Sequence, residues 1–243
     1  SRVVTDCSST AAAMLPTMAS TSPMTCETSL ISATVTPVAP PRRDGHYFDV
    51  RPTSTSRPTE VALVLPDLSL RLRTDRGTFS PTRIDPGTKL LLSELPSADR
   101  WPPGDVVDVG AGYGPIAVTL ALRAPERTVW AVEVNERARE LCRRNATAAG
   151  VDDRIRVVAP EDVPEELTVG LVASNPPIRV GKPALHGLCL SWLERLRPDG
   201  EAWWVVQKNL GSDSIQAWMT AQGWPTDRVR SRQSYRILRS RRA

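Results

Sequence analysis

The chain has 243 residues, with 31 Lys plus Arg against 27 Asp plus Glu, a net charge of +4, and bases that are almost all arginine, since only Lys89, Lys182 and Lys208 are lysines. That length can bury a real core and holds one domain, or one domain with an appendage; the arginine excess suits a polyanionic partner such as nucleic acid, because guanidinium grips phosphate in a fork, although an arginine-heavy coding bias produces the same count. Cys7, Cys26, Cys142 and Cys189 form no C-x-x-C pair, and no apolar run reaches the roughly eighteen residues of a membrane helix, so zinc sites, disulfide frameworks and membrane spans are excluded and a soluble, metal-free protein of the cytoplasm is predicted.

Residues 1–44 are rich in Ser, Thr, Ala and Pro, lack helical or strand periodicity, and are predicted to form a disordered N-terminal arm. Composition changes at "HYFDVRP". In "EVALVLPDLSLRLRTDRGTF" two short strand-like runs flank turn residues, the second alternating Leu68, Leu70 and Leu72 with Ser69, Arg71 and Arg73. "IDPGTKLLLSEL" opens on Asp85 and Pro86 and reads as a capped helix. Residues 45–100 are therefore expected to be a small β preamble with a lead-in helix.

From 101 to 243 strand and helix patterns alternate. Strands are predicted at 105–109, 128–134, 154–159, 169–174 and 201–207, with helical stretches at 115–124, 136–149, 161–167, 184–197 and 212–222. Val-rich strands in repeated βα units imply a parallel sheet covered by helices on both faces. "DRVRSRQ" and "YRILRSR" leave no room for a helix between them, so the final pair should be antiparallel. The expected fold is a Rossmann-like α/β domain with a mostly parallel, seven-stranded sheet.

"VVDVGAGYGP" puts Asp108, Gly110, Gly112 and Gly114 at the carboxyl end of the first parallel strand, where open α/β sheets bind ligands. The dinucleotide fingerprint would need a glycine at Pro115. A carboxylate two residues before the first glycine repels pyrophosphate and suits an amine-bearing ligand instead. Glu133 ends the second strand, a position from which a carboxylate accepts both hydroxyls of a ribose. Glu161 or Asp162, after the third strand, is placed to accept from an adenine amino group. Amine, ribose and adenine together describe S-adenosyl-L-methionine.

"DVGAGYGP", "VEVNERA" and "SNPPIRVGK" resemble the class I methyltransferase motifs, and with "HYF", "GTFSPTRIDPGTKLLL" and "VVQK" the set resembles the ribosomal RNA small subunit methyltransferase C family of guanine-N2 methyltransferases, in a short single-domain form. The likeness runs from about residue 46 to the C-terminus. It implies that Asn175, Pro176 and Pro177 end the fourth strand beside the methyl donor and hold an exocyclic amine. Prolines cannot donate to a ladder, so the strand stops with the Asn175 side-chain oxygen and the Pro176 carbonyl as rigid acceptors for the two amino hydrogens. Most relatives follow this motif with an aromatic residue; here Ile178 stands there, as in one branch of the family, and Phe79 is a candidate to supply the missing ring. The resemblance also places Phe79, Ser80, Asp85 and Thr88 over the cofactor.

Arg179 and Lys182 are candidate phosphate contacts beside a flipped-out nucleotide. Seven arginines between Arg228 and Arg242, against Asp227 alone, are candidate RNA backbone contacts. The expected activity is methylation of a guanine N2 in 16S ribosomal RNA, on free RNA or within the small ribosomal subunit. An adenine-N6 or protein-glutamine methyltransferase with the same Asn-Pro-Pro device, and a catalytically silent RNA-binding assembly factor, are the alternatives.

Overall fold

A computed structural model describes residues 50–51 and 53–242; the arm expected at 1–44, Cys7, Cys26 and the "HYF" motif lie outside the described residues. The first element among the described residues is an antiparallel hairpin, β1 (Thr59–Val64) and β2 (Ser69–Thr74), in which Val61 faces Leu72 and Leu63 faces Leu70. Helix α1 (Pro86–Glu94) follows, its N-cap Asp85 accepting from the Thr88 amide and Pro86 occupying the first turn, where no amide is missed.

The main sheet is built from β3 (Asp105–Val109), α2 (Pro115–Arg123), β4 (Val129–Val132), α3 (Glu136–Ala148), β5 (Ile155–Val158), β6 (Val169–Ser174), α4 (Lys182–Leu193), β7 (Leu196–Gln207), α5 (Ser212–Ala221), β8 (Thr226–Arg232) and β9 (Tyr235–Arg241). The strand order is β5-β4-β3-β6-β7-β9-β8, with β9 antiparallel to both neighbours and the pairs from β5 to β7 parallel. The chain runs outward from β3 through β4 to β5, then returns to lay β6 on the other side of β3. That reversal opens a crevice at the carboxyl ends of β3 and β6, the usual ligand position in such sheets.

Both faces of the sheet are buried. Val106, Leu171, Ala173, Trp203 and Val205 pack toward α1, α2, α3 and the hairpin, while Val107, Val109, Val172, Trp204 and Val206 pack toward α4 and α5. Strand alternation thus splits adjacent Trp203 and Trp204 between two cores. Leu63 and Leu72 share the first core, so the hairpin is stapled to the same apolar cluster as α2.

Two expectations need correction. The helix expected at 161–167 is only a 3-10 turn, Pro160–Asp162, because Pro164 removes a donor where a helix would have to continue. The helix expected to reach 197 ends at Leu193, and β7 begins at Leu196 rather than 201. Pro198 biases Arg197 toward extended angles, and Leu196 is buried opposite Val169.

Candidate active site

Val109 and Ser174 are register partners at the ends of β3 and β6, and the Ser174 hydroxyl donates to the Val109 carbonyl at 2.6 Å. The glycine loop and Asn-Pro-Pro therefore leave the sheet side by side. Gly110, Gly112 and Gly114 have φ of 76°, 57° and 93°, left-handed conformations that favour glycine. Gly114 is also a packing requirement, since a Cβ there would lie 2.7 Å from the Cys142 sulfur.

Two buried carboxylates hold this loop. Asp108 has no exposed surface; its Oδ2 accepts from the Ala117 amide at 2.9 Å, tying β3 to the first turn of α2, while its Oδ1 has no partner. Burial raises its pKa well above the ordinary carboxylate value and the Glu133 charge adds to this, against the lowering effect of the Ala117 N–H. Glu133, 8% exposed, accepts from the Gly112 amide and the Asn135 amide, each at 2.8 Å. Burial raises the pKa of Glu133 as well, opposed by those amides.

Asn175 has the most informative environment. Its Nδ2 donates to Asp85 Oδ1 at 2.9 Å and to the Thr88 hydroxyl at 3.0 Å. A carboxylate only accepts, so the amide nitrogen must face Asp85 and the Asn175 Oδ1 must point away from it. Asp85 is held in turn by the Thr88 amide at 3.1 Å and by the Tyr235 hydroxyl at 3.3 Å.

Seven of the sequence-predicted residues line one cleft: Phe79, Ser80, Asp85, Thr88, Gly110, Gly112 and Asn175. Its enclosed volume is about 20 Å³, room for about one water. A nucleoside-sized ligand is larger than this cleft; Ser80 in its lining sits at a left-handed φ of 49°, uncommon for a residue with a side chain. The chemistry around the cleft suits S-adenosyl-L-methionine even though the width does not: the glycine loop presents bare backbone to it, and the carboxylates of Asp108 and Glu133 lie buried behind that loop rather than in the lining. A wider recess of about 710 Å³ between the hairpin and α3 shares no lining residue with this cleft, and its arginines are largely neutralised, as in Arg51–Glu136 at 3.1 Å and Arg144–Glu140 at 2.8 Å.

Other predicted positions fall outside the cleft lining, Asp108, Gly114 and Glu133 among them. Glu161 and Asp162 are exposed on the turn after β5. Pro176 is buried and Pro177 half-buried. Ile178, expected against the substrate, is half-buried and packs against the core on the α4 side; Val180 in the same segment is 40% exposed. Arg179 lies in the same short turn, Ile178–Val180, and Lys182 is exposed at the start of α4. The terminal arginines are not a free cationic stripe. Arg228 pairs with Asp213 at 2.6 Å, Arg230 with Glu94 at 2.8 Å, Arg241 with Asp227 at 2.6 Å, and Arg239 with Glu201 and Asp227 at 3.6 Å. Asp213, Glu94 and Glu201 come from other elements, which local sequence does not reveal, whereas Asp227 lies on β8 itself.

Sequence reading also assigned no role to Tyr235, Gln207 or Asn145. Asn145, 2% exposed, accepts from the Arg73 amide and donates to the Arg73 and Tyr113 carbonyls at 2.8 Å, joining hairpin, glycine loop and α3. A polar residue on the apolar face of α3 was the available signal. No group of three or more His, Cys, Asp or Glu that could hold a metal occurs among the described residues, and none of their helices is long and apolar enough to cross a membrane.

Residues 69–239 match the family model described as the methyltransferase small domain. The chain is 33% identical over 172 residues to the uncharacterized protein YbxB of Bacillus subtilis, covering 70% of this chain and 84% of that one. It is 36% identical over 120 residues to the ribosomal RNA small subunit methyltransferase C of Pseudomonas putida, and 43% identical over 95 residues to the release factor glutamine methyltransferase of Chlorobaculum tepidum. It spans only about a third of each of those two proteins, 35% and 31%. Among solved structures, the T. thermophilus 16S rRNA methyltransferase RsmC, in complex with AdoMet and guanosine, superposes with a TM-score of 0.67 at 20% identity, over 79% of this chain and 52% of that one; this likeness speaks for the fold. The match over residues 69–239 takes in the hairpin strand β2, the glycine loop, Glu133 and Asn-Pro-Pro together, and the chain belongs to the methyltransferase small domain family.

Proposed function

We propose that this chain uses S-adenosyl-L-methionine to methylate the exocyclic N2 of a guanine in 16S ribosomal RNA. The observation that carries the reading is the orientation of Asn175. With its amide nitrogen committed to Asp85 and Thr88, the side chain offers only an acceptor oxygen to the cleft, and an acceptor at that point selects an N–H donor. An aryl amine is a weak nucleophile because its lone pair is delocalised into the ring. Acceptors at Asn175 Oδ1 and the Pro176 carbonyl turn the nitrogen toward tetrahedral geometry and stabilise the positive charge it gains as the new N–C bond forms. The amine then loses a proton to water, so no strong base is required.

When bound, the donor supplies an electrophilic methyl on a sulfonium that leaves as a neutral thioether. Glu133 and the glycine loop would hold its ribose and backbone-facing side, with Asp108 fixing the loop from beneath. Phe79, which lines the cleft and is 37% exposed, and Val180, 40% exposed in the turn after Asn-Pro-Pro, would offer apolar surface to a base turned out of its stack.

The nucleic-acid reading draws on cations at the same end of the sheet. Arg232 is the register partner of Tyr235, the Lys208 amide donates to the Ser234 carbonyl at 2.7 Å, and Arg83 sits close enough to act electrostatically on the Tyr235 phenol. Among the described residues, Arg83, Lys182, Lys208 and Arg232 have no ion-pair partner, in contrast to the arginines lower on β8 and β9. Names of relatives supply the target: several proteins similar to this chain are called ribosomal RNA small subunit methyltransferase C.

The likeness to a release factor glutamine methyltransferase supports a second reading, in which the amine is a side-chain amide. Tritiated donor offered in parallel to unmodified 16S rRNA, to the same RNA assembled with small-subunit proteins, and to a release factor separates the two. Label in RNA supports the proposal; label only in protein assigns the glutamine reading.

A further inference from the structure

Resting on that reading of Asn175, we propose that Asp85 makes the Asn175 oxygen a strong acceptor by polarising its amide, and that Tyr235 and Gln207 are positioning residues for Asp85. Every polar contact of Asp85 runs toward this end. One oxygen takes the Asn175 amide nitrogen at 2.9 Å and the Thr88 backbone at 3.1 Å; the other takes the Tyr235 hydroxyl at 3.3 Å, which itself receives Gln207 Nε2 at 3.3 Å. The Tyr235 ring lies directly on the start of α1, where a Cβ on Gly87 would fall 2.6 Å from it. Gly87 is thus required for that close approach. Three elements, α1, the end of β6 and the start of β9, converge on one carboxylate, and the end of β7 reaches it through the Tyr235 hydroxyl.

All of these donors are neutral and Asp85 has no ion-pair partner among the described residues; the Arg83 charge reaches the neighbouring Tyr235 phenol without pairing with Asp85. A carboxylate accepting from an amide N–H strengthens the amide's charge-separated resonance form, shifting negative charge onto the amide oxygen. Oδ1 then stabilises a nitrogen that is becoming cationic more than one that is neutral, the differential that accelerates a reaction. A helix cap alone would explain the Thr88 contact, but not the convergence of Asn175 and Tyr235 on the same group.

Sinefungin tests this without any RNA, because it carries a protonated amine where the donor carries its methyl and sulfonium, whereas S-adenosylhomocysteine carries no charge there. Titration calorimetry on the full chain would compare both ligands in wild type, Asp85→Asn, Asn175→Ala and the double variant. Asp85→Asn keeps a cap oxygen and removes the charge. It is expected to weaken sinefungin about tenfold while leaving S-adenosylhomocysteine nearly unchanged, and to have no effect on sinefungin in the Asn175→Ala background. Equal weakening of both ligands would reduce Asp85 to a structural cap, and a sinefungin loss that persists without Asn175 would mean that Asp85 acts directly; either overturns the proposal. Tyr235→Phe should show the same pattern more weakly, whereas an unchanged sinefungin preference would remove Tyr235 from the arrangement. Single-turnover transfer to unmodified 16S rRNA adds a second arm, in which Asp85→Asn lowers the rate and not the RNA affinity. Wild type that shows the sinefungin pattern yet methylates no RNA would leave the dyad standing and overturn the substrate reading instead.

Discussion

The amide of Asn175 and the carboxylate of Asp85, 90 residues apart in the chain, meet at 2.9 Å at the mouth of the sheet. This hydrogen bond fixes which atom of Asn175 faces the cleft, and the chemistry of the amine depends on that atom being oxygen. Asn175→Ala should therefore lower turnover by about 10²–10³-fold, the usual cost of deleting one oriented stabilising group, with donor affinity within about twofold of wild type. Single-turnover rates and calorimetry check the split; a variant with wild-type turnover would remove Asn175 from the reaction.

Glu133 and the acidic pair after β5 should separate in donor binding. Glu133 is buried and holds Gly112, so Glu133→Ala is expected to weaken S-adenosylhomocysteine by about tenfold or more, since it removes a hydrogen-bond acceptor for the ligand and loosens the loop as well. Glu161 and Asp162 are exposed and hold no amide of the glycine loop, and alanine at either should change affinity by about twofold at most. Equal losses at all three positions would place the adenine end of the donor against the β5 turn.

How much of this was legible in the sequence depended on whether a feature was local. The glycine loop and Asn-Pro-Pro announce themselves because their conformations demand those residues, and alternation placed both at strand ends. The α1 cap was readable from Asp85 and Pro86. The arginine pairs of β8 and β9 were not, because Asp213, Glu94 and Glu201 reach them only through the fold. Nor was the second use of Asp85, since nothing near it in sequence marks Asn175 or Tyr235 as partners. Its position in the motif does not reveal that Ile178 is half-buried against the core on the α4 side while Val180 is exposed.

Asp108 should give the protein a recognisable pH dependence. Its folded-state pKa is raised above the ordinary 3.8, so the folded protein holds that proton more tightly than the unfolded chain. The resulting stability is fully present below the unfolded value and is lost as pH rises through the raised folded value. Thermal melting of Asp108→Asn should accordingly vary less from acidic to neutral pH than melting of wild type, with the slope due to Glu133 retained. Parallel curves for the two proteins would show that Asp108 titrates normally.

Free and paired cations should behave differently toward RNA. Glutamate at Arg83, Lys208 or Arg232 is expected to raise the RNA Michaelis constant and to lower the log-log salt slope of binding by about one for each phosphate that is no longer neutralised. Arg228→Gln and Arg241→Gln, which break ion pairs with Asp213 and Asp227, should leave that slope unchanged. The opposite ranking would move the RNA path onto the outer face of the terminal hairpin.

The most direct test is the identity of the methylated nucleoside. Unmodified 16S rRNA, alone and assembled with small-subunit proteins, would be incubated with labelled S-adenosyl-L-methionine and the full chain, digested to nucleosides and resolved by mass spectrometry, with Asn175→Ala as the control. N2-methylguanosine that forms with wild type and falls by about two orders of magnitude with the variant is the predicted result. N6-methyladenosine, or label confined to protein, would contradict it.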